Sequence, residues 1–184
     1  MSDLEVLEAL LRQRSLVFGD FVLASGQRSS YYIDARKTTM AALGQRLIGT
    51  LGLELIRNRG WAPDSIGGLT MGADPVAYAI ARASLESPPI VNAFSVRKAA
   101  KEHGTRKRVE GNFEPGSAVV IAEDVITSGG SAIQAVEAVR AEGGRVLGVL
   151  AVVDREEGGI EAIRSNCIDV ACITTISKLN ITGR

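Results

Sequence analysis

The spacing of apolar residues changes at about residue 60 of the chain. Before that point, apolar positions recur at helical spacing over 2–14, where Ser2 and Glu5 match a capping box, and this pattern predicts an amphipathic helix. Residues 17–36 alternate bulky apolar positions around Ser-Gly turn residues and predict an irregular pair of strands. Residues 38–59 return to helical spacing and predict a second helix.

After residue 60, apolar strands alternate with helices that follow glycine-rich turns. The runs "AVVIA" and "VLGVLAVVD" are apolar throughout, which is typical of strands buried on both faces of a sheet. Strands that alternate with helices at this spacing indicate right-handed crossovers and an α/β fold with a mainly parallel sheet flanked by helices. The predicted strands are 65–69, 90–96, 117–122, 145–153 and 170–176, and the predicted helices are 74–84 and 129–142.

Length and composition favour one globular domain. A chain of 184 residues can remove about 70% of its unfolded surface from water. Its content of 46% hydrophobic and 23% charged residues is that of an ordinary globular protein. No internal repeat or linker divides the chain, so we expect residues 1–184 to form a single domain.

Two further features bear on the cellular compartment. Cys167 and Cys172 have the spacing of neither a redox pair nor a zinc site. The first residues, "MSDLEVLEALLRQR", are charged throughout and contain no unbroken apolar core. We therefore expect neither a signal peptide nor a membrane span, and a cytoplasmic location.

Charge is unevenly distributed along the chain, although the formal net charge is zero. Residues 97–111 contain six basic and two acidic residues, so this segment carries +4 and the remainder −4. The zero net charge and the lack of interleaved aromatic residues argue against a nucleic-acid surface, and no membrane partner is expected. Residues 98–115 are almost free of apolar side chains and predict a long flexible loop, which in a compact domain is usually functional.

The segment "AVVIAEDVITSGGS", residues 118–131, places two acids after a buried strand. Ligands of open α/β sheets bind beyond the carboxyl ends of the strands, where Glu123 and Asp124 are expected. Residues 127–131 then begin a helix with hydroxyls and glycines, and free backbone N–H groups there favour a phosphate. The alternative is an ordinary turn with two solvated acids and a serine cap.

Neither the lysine-bearing Walker loop nor the G-x-G-x-x-G pattern occurs in the chain, so the acids need their own explanation. A carboxylate pair beside a phosphate can accept hydrogen bonds from two neighbouring sugar hydroxyls. Its negative charge also favours a positive charge that develops on the sugar ring. The segment therefore predicts a phosphoribosyl site.

Three segments, in this combination, resemble one enzyme family. "VVIAEDVITSGGS" resembles the phosphoribosyl pyrophosphate motif of type I phosphoribosyltransferases. "FVLASGQRSSYYIDARK" resembles the hood strand of orotate phosphoribosyltransferases, and "VRKAAKEHG" is similar to their flexible catalytic loop. The resemblance covers residues 18 to 155. It implies the type I phosphoribosyltransferase fold, with a small N-terminal hood over about 1–36 that includes the C-terminal tail, a core over about 37–176, and a long flexible loop.

The resemblance also implies a reaction. Orotate displaces pyrophosphate from phosphoribosyl pyrophosphate and gives orotidine 5′-monophosphate, in de novo pyrimidine biosynthesis. Mg²⁺ is the implied cofactor and is held mainly by the substrate, so no metal site made by the protein is expected. The implied assembly is a homodimer in which loop 97–111 closes over the site of the neighbouring subunit.

Two other functions remain open from the sequence. A phosphoribosyltransferase for another base would share the phosphoribosyl motif, but a purine enzyme should lack this hood. A regulator that senses phosphoribosyl pyrophosphate would need a separate nucleic-acid-binding region, for which the 184 residues leave no obvious room.

The resemblance assigns roles to individual residues. Lys101 and Asp124 are the implied catalytic residues, and Thr127 and Arg155 are the implied orotate ligands. For Arg155 the alternative is a surface charge balanced by neighbouring acids. The implied ligands of phosphoribosyl pyrophosphate are Arg97, Lys98, Lys101, His103, Glu123, Asp124, Val125, Ile126, Thr127, Ser128, Gly129, Gly130 and Ser131.

Two departures from the family pattern concern the cations for pyrophosphate. Many relatives have a lysine before "SG" in the hood, where this chain has Ala24, and many have one in the turn that is here 70–74. We expect the backbone N–H groups of residues 71–73 to bind pyrophosphate instead, since a glycine-bearing turn before a helix can form an anion nest. Tyr31 and Tyr32 are expected either to line the hood or to join the core.

Overall fold

A computed structural model describes residues 1–22, 28–99 and 107–180 of the chain. In these ranges the helices are α1 (Asp3–Arg14), α2 (Arg36–Thr39), α3 (Ala42–Asn58), α4 (Ala73–Glu86), α5 (Gly130–Ala141) and α6 (Gly159–Ser165). The strands are β1 (Leu16–Val22), β2 (Arg28–Ile33), β3 (Ser65–Leu69), β4 (Asn92–Val96), β5 (Val109–Gly111), β6 (Ala118–Ile126), β7 (Arg145–Asp154) and β8 (Val170–Thr175). Among these helices, none combines the length and the apolar character that crossing a membrane requires.

The main sheet has the strand order β5-β4-β3-β6-β7-β8. All neighbouring strands are parallel except β5, which runs antiparallel to β4. The central strands β3, β6 and β7 are buried along most of their length, which explains why their apolar residues are continuous rather than alternating. The predicted α/β class and the mainly parallel sheet are confirmed.

Helices cover both faces of the sheet, and alternate residues of β6 belong to the two cores. Val120 packs in one core with Leu47 of α3 and Ile80 of α4. Ile121 packs in the other core with Val136 of α5. Burial of one such side chain stabilises the fold by about 1.5–3 kcal/mol, so the two cores hold the central strand firmly on both sides.

The N-terminal part of the chain forms the predicted helix and strand pair. The hydroxyl of Ser2 accepts the backbone N–H of Glu5 at 3.3 Å, and the carboxylate of Glu5 accepts the backbone N–H of Ser2 at 2.7 Å. This is the predicted capping box. Strands β1 and β2 form a separate antiparallel pair whose register shifts between Phe18 and Phe21, so the predicted irregularity is also confirmed.

Three elements away from the acid pair differ from the sequence-based prediction. The helix expected over 38–59 is divided into α2 and α3, because the backbone of Ala41 is extended, with a ψ of 141°. Part of the loop expected over 98–115 is strand β5, where Val109 is buried against β4 and its neighbours. Helix α6 was not predicted, because its seven residues are too few to show a clear helical period.

Candidate active site

A cavity of about 740 Å³ lies where the carboxyl ends of β3, β6 and β7 meet the residues that follow β2. This volume is within the range of small-molecule sites, about 300–1,000 Å³. The position agrees with the rule that open α/β sheets bind ligands beyond the carboxyl ends of their strands. In the described part of the chain its polar lining side chains are Tyr32, Asp34, Arg36, Thr70, Asp74, Lys98, Glu123, Asp124, Thr127, Ser131 and Arg155.

The acid pair lies within the sheet rather than beyond it. Strand β6 continues to Ile126, past the end predicted at residue 122, and Glu123 pairs in register with Ala151 of β7. Glu123 is 6% exposed, whereas Asp124 is partly exposed. The prediction that the strand ends before the acids was therefore wrong, because the apolar residues Val125 and Ile126 continue the buried strand beyond the acid pair.

Glu123 is held in an environment that disfavours its charge. Burial raises the pKa of Glu123 well above its ordinary value, and the neighbouring charge of Asp124 raises it further. Its Oε1 accepts the backbone N–H of Asp124 at 3.3 Å, while its buried Oε2 has no hydrogen-bond partner in the part of the chain that the structure describes. Buried polar atoms normally have partners, so a ligand that brings two adjacent hydroxyls would complete this site.

A second, smaller cavity of about 70 Å³ lies at the start of α5 and is lined by residues 123 and 125–132. Gly129 is the N-cap residue of α5 and has a left-handed backbone with a φ of 80°. A Cβ at Gly129 would lie 2.8 Å from the carbonyl oxygen of Gly159, so glycine is required for both the conformation and the contact. No side chain caps the helix, so its first backbone N–H groups are available to an anion of the size of phosphate.

Arg155 lies at the carboxyl end of β7 and is only 5% exposed, which excludes the alternative of a surface charge. Its guanidinium carbon lies 5.0 Å from the ring centre of Tyr31 in the hood. Nη2 lies 2.7 Å from the Oε1 of Glu157 as an ion pair. Neither Nη2 nor Nε makes a directed hydrogen bond to any residue in the described ranges. A buried guanidinium with unused N–H groups is suited to a planar carboxylate ligand.

The backbone on both sides of Arg155 is fixed. Its own N–H donates to the carbonyl of Ile126 at 3.0 Å. The next residue, Glu156, has a φ of 58°, and its carboxylate accepts the backbone N–H of Ser177 at 3.0 Å and the Ser177 hydroxyl at 2.9 Å. These bonds join the turn after β7 to the segment after β8, so the backbone from which the Arg155 side chain extends is held in place.

The turn between β3 and α4 lies against the acid pair. The N–H of Thr70 donates to the carbonyl of Val96 at 2.8 Å, while Met71 is 61% exposed. A Cβ added to Gly72 would lie 2.7 Å from the Oδ1 of Asp124. The backbone therefore approaches the Asp124 carboxylate this closely only because residue 72 has no side chain.

Comparisons with known proteins agree on one family. A family model described as "Phosphoribosyl transferase domain" matches residues 41–183. The orotate phosphoribosyltransferase of Aquifex aeolicus (strain VF5) is 44% identical in an alignment of 182 residues, and the match covers 97% of this chain and 98% of that protein. The chain belongs to the orotate phosphoribosyltransferase family.

Solved structures support the same assignment. A crystal structure of Mycobacterium tuberculosis H37Rv orotate phosphoribosyltransferase has a TM-score of 0.87 and 41% identity, covering 98% of this chain and 100% of that one. A structure of the same enzyme in complex with 5-phospho-alpha-D-ribosyl 1-diphosphate has a TM-score of 0.84 and 37% identity, with the same coverage. The predicted type I phosphoribosyltransferase fold is confirmed, and the chain is an enzyme of the pentosyltransferase class.

Most of the site residues that the sequence predicts line one or both of the two cavities. The larger cavity is lined by Lys98, Asp124 and Arg155, and the smaller by Ile126, Ser128, Gly129 and Gly130, while Glu123, Val125, Thr127 and Ser131 line both. Arg97 does not line either cavity, because its guanidinium pairs with Glu110 of β5 at 3.0 and 3.1 Å. Lys101, His103 and Ala24 lie outside the described residues.

Three charged residues of the larger cavity were not assigned from the sequence. Asp34 and Arg36 belong to "YYIDARK", directly after the hood strand. They lie in the segment that resembles the family's hood, and this resemblance could have identified them as site residues. Asp74 lies in the first turn of α4 and accepts the Ser95 hydroxyl at 2.8 Å. Burial raises the pKa of Asp74, although the bond from Ser95 opposes this effect.

Proposed function

We propose that the protein transfers the 5-phosphoribosyl group of phosphoribosyl pyrophosphate to orotate within the larger cavity. The products are orotidine 5′-monophosphate and pyrophosphate, in de novo pyrimidine biosynthesis. The observation that carries this proposal is the presence of three features around two cavities that share Glu123. They are the acid pair Glu123 and Asp124, an anion-binding helix start in the smaller cavity, and the buried guanidinium of Arg155 in the larger cavity. These features suit the phosphate, the ribose hydroxyls and the orotate carboxylate in turn.

In this proposal the 5′-phosphate binds in the smaller cavity at the start of α5. Backbone N–H groups there point at the anion, and the hydroxyls of Thr127, Ser128 and Ser131 are placed to add donors. The adjacent acids accept the two ribose hydroxyls, which supplies the partner that Glu123 Oε2 lacks. The phosphate and hydroxyls together fix the sugar ring over the acid pair.

The chemical step breaks the bond from the anomeric carbon to pyrophosphate and forms a bond from that carbon to a ring nitrogen of orotate, whose N–H proton passes to the departing pyrophosphate. Positive charge develops on the ribose ring as the first bond weakens. The carboxylate of Asp124 stabilises that charge, because it is fixed beside the ring before the reaction begins. Its Oδ1 accepts the backbone N–H of Val125 at 2.9 Å, which limits its rotation.

Orotate binds at the end of the cavity where Arg155 lies. The guanidinium of Arg155 pairs with the orotate carboxylate through its unused N–H groups, and Thr127 contacts the base. An uncharged pyrimidine such as uracil would leave Arg155 without this partner. Arg155 therefore selects for the carboxylated base.

Pyrophosphate leaves at the exposed end of the cavity, beside Met71 and Lys98. The backbone N–H groups of residues 71–73 and the ammonium of Lys98 meet its negative charge. Because Arg97 lines neither cavity of its own chain, Arg97, Lys101 and His103 are proposed to act on the same charge in the site of the neighbouring subunit, as the family resemblance implies. Closure of that loop would exclude water and so protect the reactive sugar from hydrolysis.

The carboxylates of the larger cavity fit Mg²⁺ as a companion of the substrate rather than as a resident ion. In the described ranges no group of three or more His, Cys, Asp or Glu side chains is arranged to hold a metal. Asp124 and Glu123 are the acids that would help to hold a Mg²⁺ ion that enters with the substrate. Bound there, Mg²⁺ would neutralise part of the diphosphate charge.

A direct test of the function is a spectroscopic assay of orotate consumption with phosphoribosyl pyrophosphate and Mg²⁺. Hypoxanthine, guanine and uracil are assayed beside orotate. Turnover of orotate alone is expected. Turnover of a purine without orotate would assign another base, and binding of phosphoribosyl pyrophosphate without turnover of any base would favour a regulator.

The homodimer has its own test, in which Lys101→Ala and Asp124→Asn proteins are mixed. If the loop of one subunit acts on the site of its neighbour, each hybrid dimer has one intact site. Equal mixing should then restore about one quarter of wild-type turnover, because half of randomly formed two-fold dimers are hybrids. Failure to restore turnover, with subunit exchange proven by mass spectrometry, would favour a site built within one chain.

A further inference from the structure

Among the described residues, three cationic side chains line the larger cavity, and the proposed function uses two of them. Arg155 is buried beside Tyr31 at the base end, and Lys98 lies at the exposed end. The third is Arg36, the first residue of α2. The same cavity is lined by four acids, Asp34, Asp74, Glu123 and Asp124. A cavity with more acids than cations needs each cation if it is to hold a diphosphate.

Arg36 is oriented by a single contact. Its Nε donates to the Oδ1 of Asp34 at 2.9 Å. Across residues 1–22, 28–99 and 107–180, Asp34 is the one residue that hydrogen-bonds to this guanidinium, so its terminal nitrogens Nη1 and Nη2 remain available to a ligand. The side chain is 46% exposed, which leaves it room to adjust to a bound anion.

The location of Arg36 points to the diphosphate rather than to the other groups of the substrates. Arg36 is absent from the lining of the smaller cavity, which suits the 5′-phosphate, and Arg155 already occupies the base end. The hydrogen bond and charge of Asp34 are the main causes that raise the pKa of Arg36, and Asp124 adds a smaller effect. Arg36 and the acid pair line the same cavity, so Arg36 lies in the cavity that holds the sugar and its leaving group in the proposed function.

We propose that Arg36 binds the diphosphate group of phosphoribosyl pyrophosphate through Nη1 and Nη2, with Asp34 as the residue that positions it. The planar guanidinium presents two parallel N–H donors that match phosphate oxygens, while Asp34 occupies only the third nitrogen. This role rests on the proposed function. Many relatives have a lysine in the turn that is here 70–74, and in this chain Arg36 would supply a side-chain cation for the diphosphate instead.

The test compares Arg36→Gln with Arg46→Gln. Arg46 is a matched control, because it is also exposed and paired with an aspartate, Asp3, but lines a separate groove between α3 and α4. The dissociation constant of inorganic pyrophosphate, measured by calorimetry, is expected to rise about 10- to 100-fold for Arg36→Gln, the loss typical of hydrogen bonds to a charged group. Arg46→Gln should bind pyrophosphate as the wild type does.

Steady-state kinetics separate a binding role from a general structural one. Arg36→Gln should raise the KM for phosphoribosyl pyrophosphate while the KM for orotate changes by less than about threefold, because the lost donors face only the diphosphate. Arg36→Lys should recover part of the loss, since it retains the charge but not the paired donors. Thermal melting should give the same Tm for all three variants and the wild type.

Equal pyrophosphate affinity for Arg36→Gln, Arg46→Gln and the wild type would overturn the role of Arg36, and so would equal rises in both KM values. If Arg36→Gln does not fold, Arg36→Lys decides the question, and unchanged pyrophosphate affinity in that variant overturns the role. A wild-type protein that binds pyrophosphate but never consumes orotate would instead overturn the proposed function. The two failures are therefore distinguishable.

Discussion

The two parts of the cavity that we propose for the base and for the diphosphate differ in how their charges are held. At the base end, Glu123 and Arg155 are 6% and 5% exposed, and the backbone beside each is fixed by the sheet or by hydrogen bonds. At the diphosphate end, the Arg36 side chain is 46% exposed, Met71 is 61% exposed and Lys98 is exposed. The same cavity therefore has a buried, rigid end and an open end.

This difference matches what each end has to do. Buried charges interact strongly, because little water screens them, so the base end can reject a ligand that lacks the right charge. Exposed cations bind more weakly and release a highly charged product more easily. Substitutions at the buried end should therefore have larger and more specific effects than substitutions at the open end.

Asp124→Asn should give the largest loss, because Asp124 lines the cavity and the proposed function places it beside the reacting sugar. The amide has the same shape but no charge, so the turnover number should fall about 10²- to 10³-fold, as for loss of one preorganised electrostatic contact. The Tm should change little. Asp64→Asn is a control at the opposite end of the sheet, where Asp64 accepts the N–H of Ala118 at 2.8 Å. Unaltered kinetics in Asp124→Asn would remove this residue from the mechanism.

Arg155→Gln tests the specificity of the buried end. The KM for orotate should rise about 10- to 100-fold, because a charge-assisted pair is lost, while the KM for phosphoribosyl pyrophosphate stays within about threefold. The ratio of kcat/KM values for orotate and uracil should fall as well.

Arg59 provides the control for Arg155. It too lies over an aromatic ring, at 5.8 Å from the centre of Trp61, and is paired with an acid, Asp169, but it is exposed and remote from both cavities. Arg59→Gln should leave both KM values unchanged. If Arg155→Gln raised both KM values equally, the residue would not be the selector for orotate.

Gly72→Ala should give a smaller loss, because it acts on Asp124 indirectly. The new Cβ would lie 2.7 Å from Oδ1 of Asp124, so the carboxylate has to shift. A displacement of this kind should lower the turnover number about 10-fold without a large change in Tm, since a terminal side-chain group moves rather than the backbone. A normal turnover number with a lowered Tm would mean that the backbone yields instead of Asp124.

Glu123→Gln should give the smallest of these effects. The effect concerns stability, and it is seen in how the Tm depends on pH. Burial raises the pKa of Glu123, so between its ordinary pKa and the raised value the folded protein retains a proton that the unfolded chain has lost. The free energy of unfolding therefore falls as pH rises through this interval. Because glutamine does not titrate, the Tm of Glu123→Gln should fall less than that of the wild type between pH 5 and pH 8.

The size of this pH effect is measurable, because 1 kcal/mol corresponds to about 2–4 °C in Tm for a domain of this length. Glu137→Gln is the control, since Glu137 is an exposed glutamate on α5. Its Tm should follow the wild type over the whole range. Parallel curves for Glu123→Gln and the wild type would show that burial does not perturb this carboxyl group.

The sequence by itself determined the α/β class, the positions of the core strands along the chain and the phosphoribosyl motif. Each of these depends on neighbours in the chain: continuous apolar runs mark buried strands, and a glycine and hydroxyl cluster after an acid pair marks a helix start that accepts an anion. The resemblance to orotate phosphoribosyltransferases could be recognised for the same reason, because its three segments are each contiguous.

Only the tertiary structure decided which distant residues meet and how deeply each is buried. The contact of Arg155 with Tyr31, the entry of Arg36 and Asp34 into the cavity, and the pairing of Arg97 with Glu110 join separate segments of the chain. The burial of Glu123 likewise depends on β3 and β7 packing on both sides of β6. Local sequence patterns do not predict such contacts, because burial and charge pairing between distant residues arise only when the elements pack together.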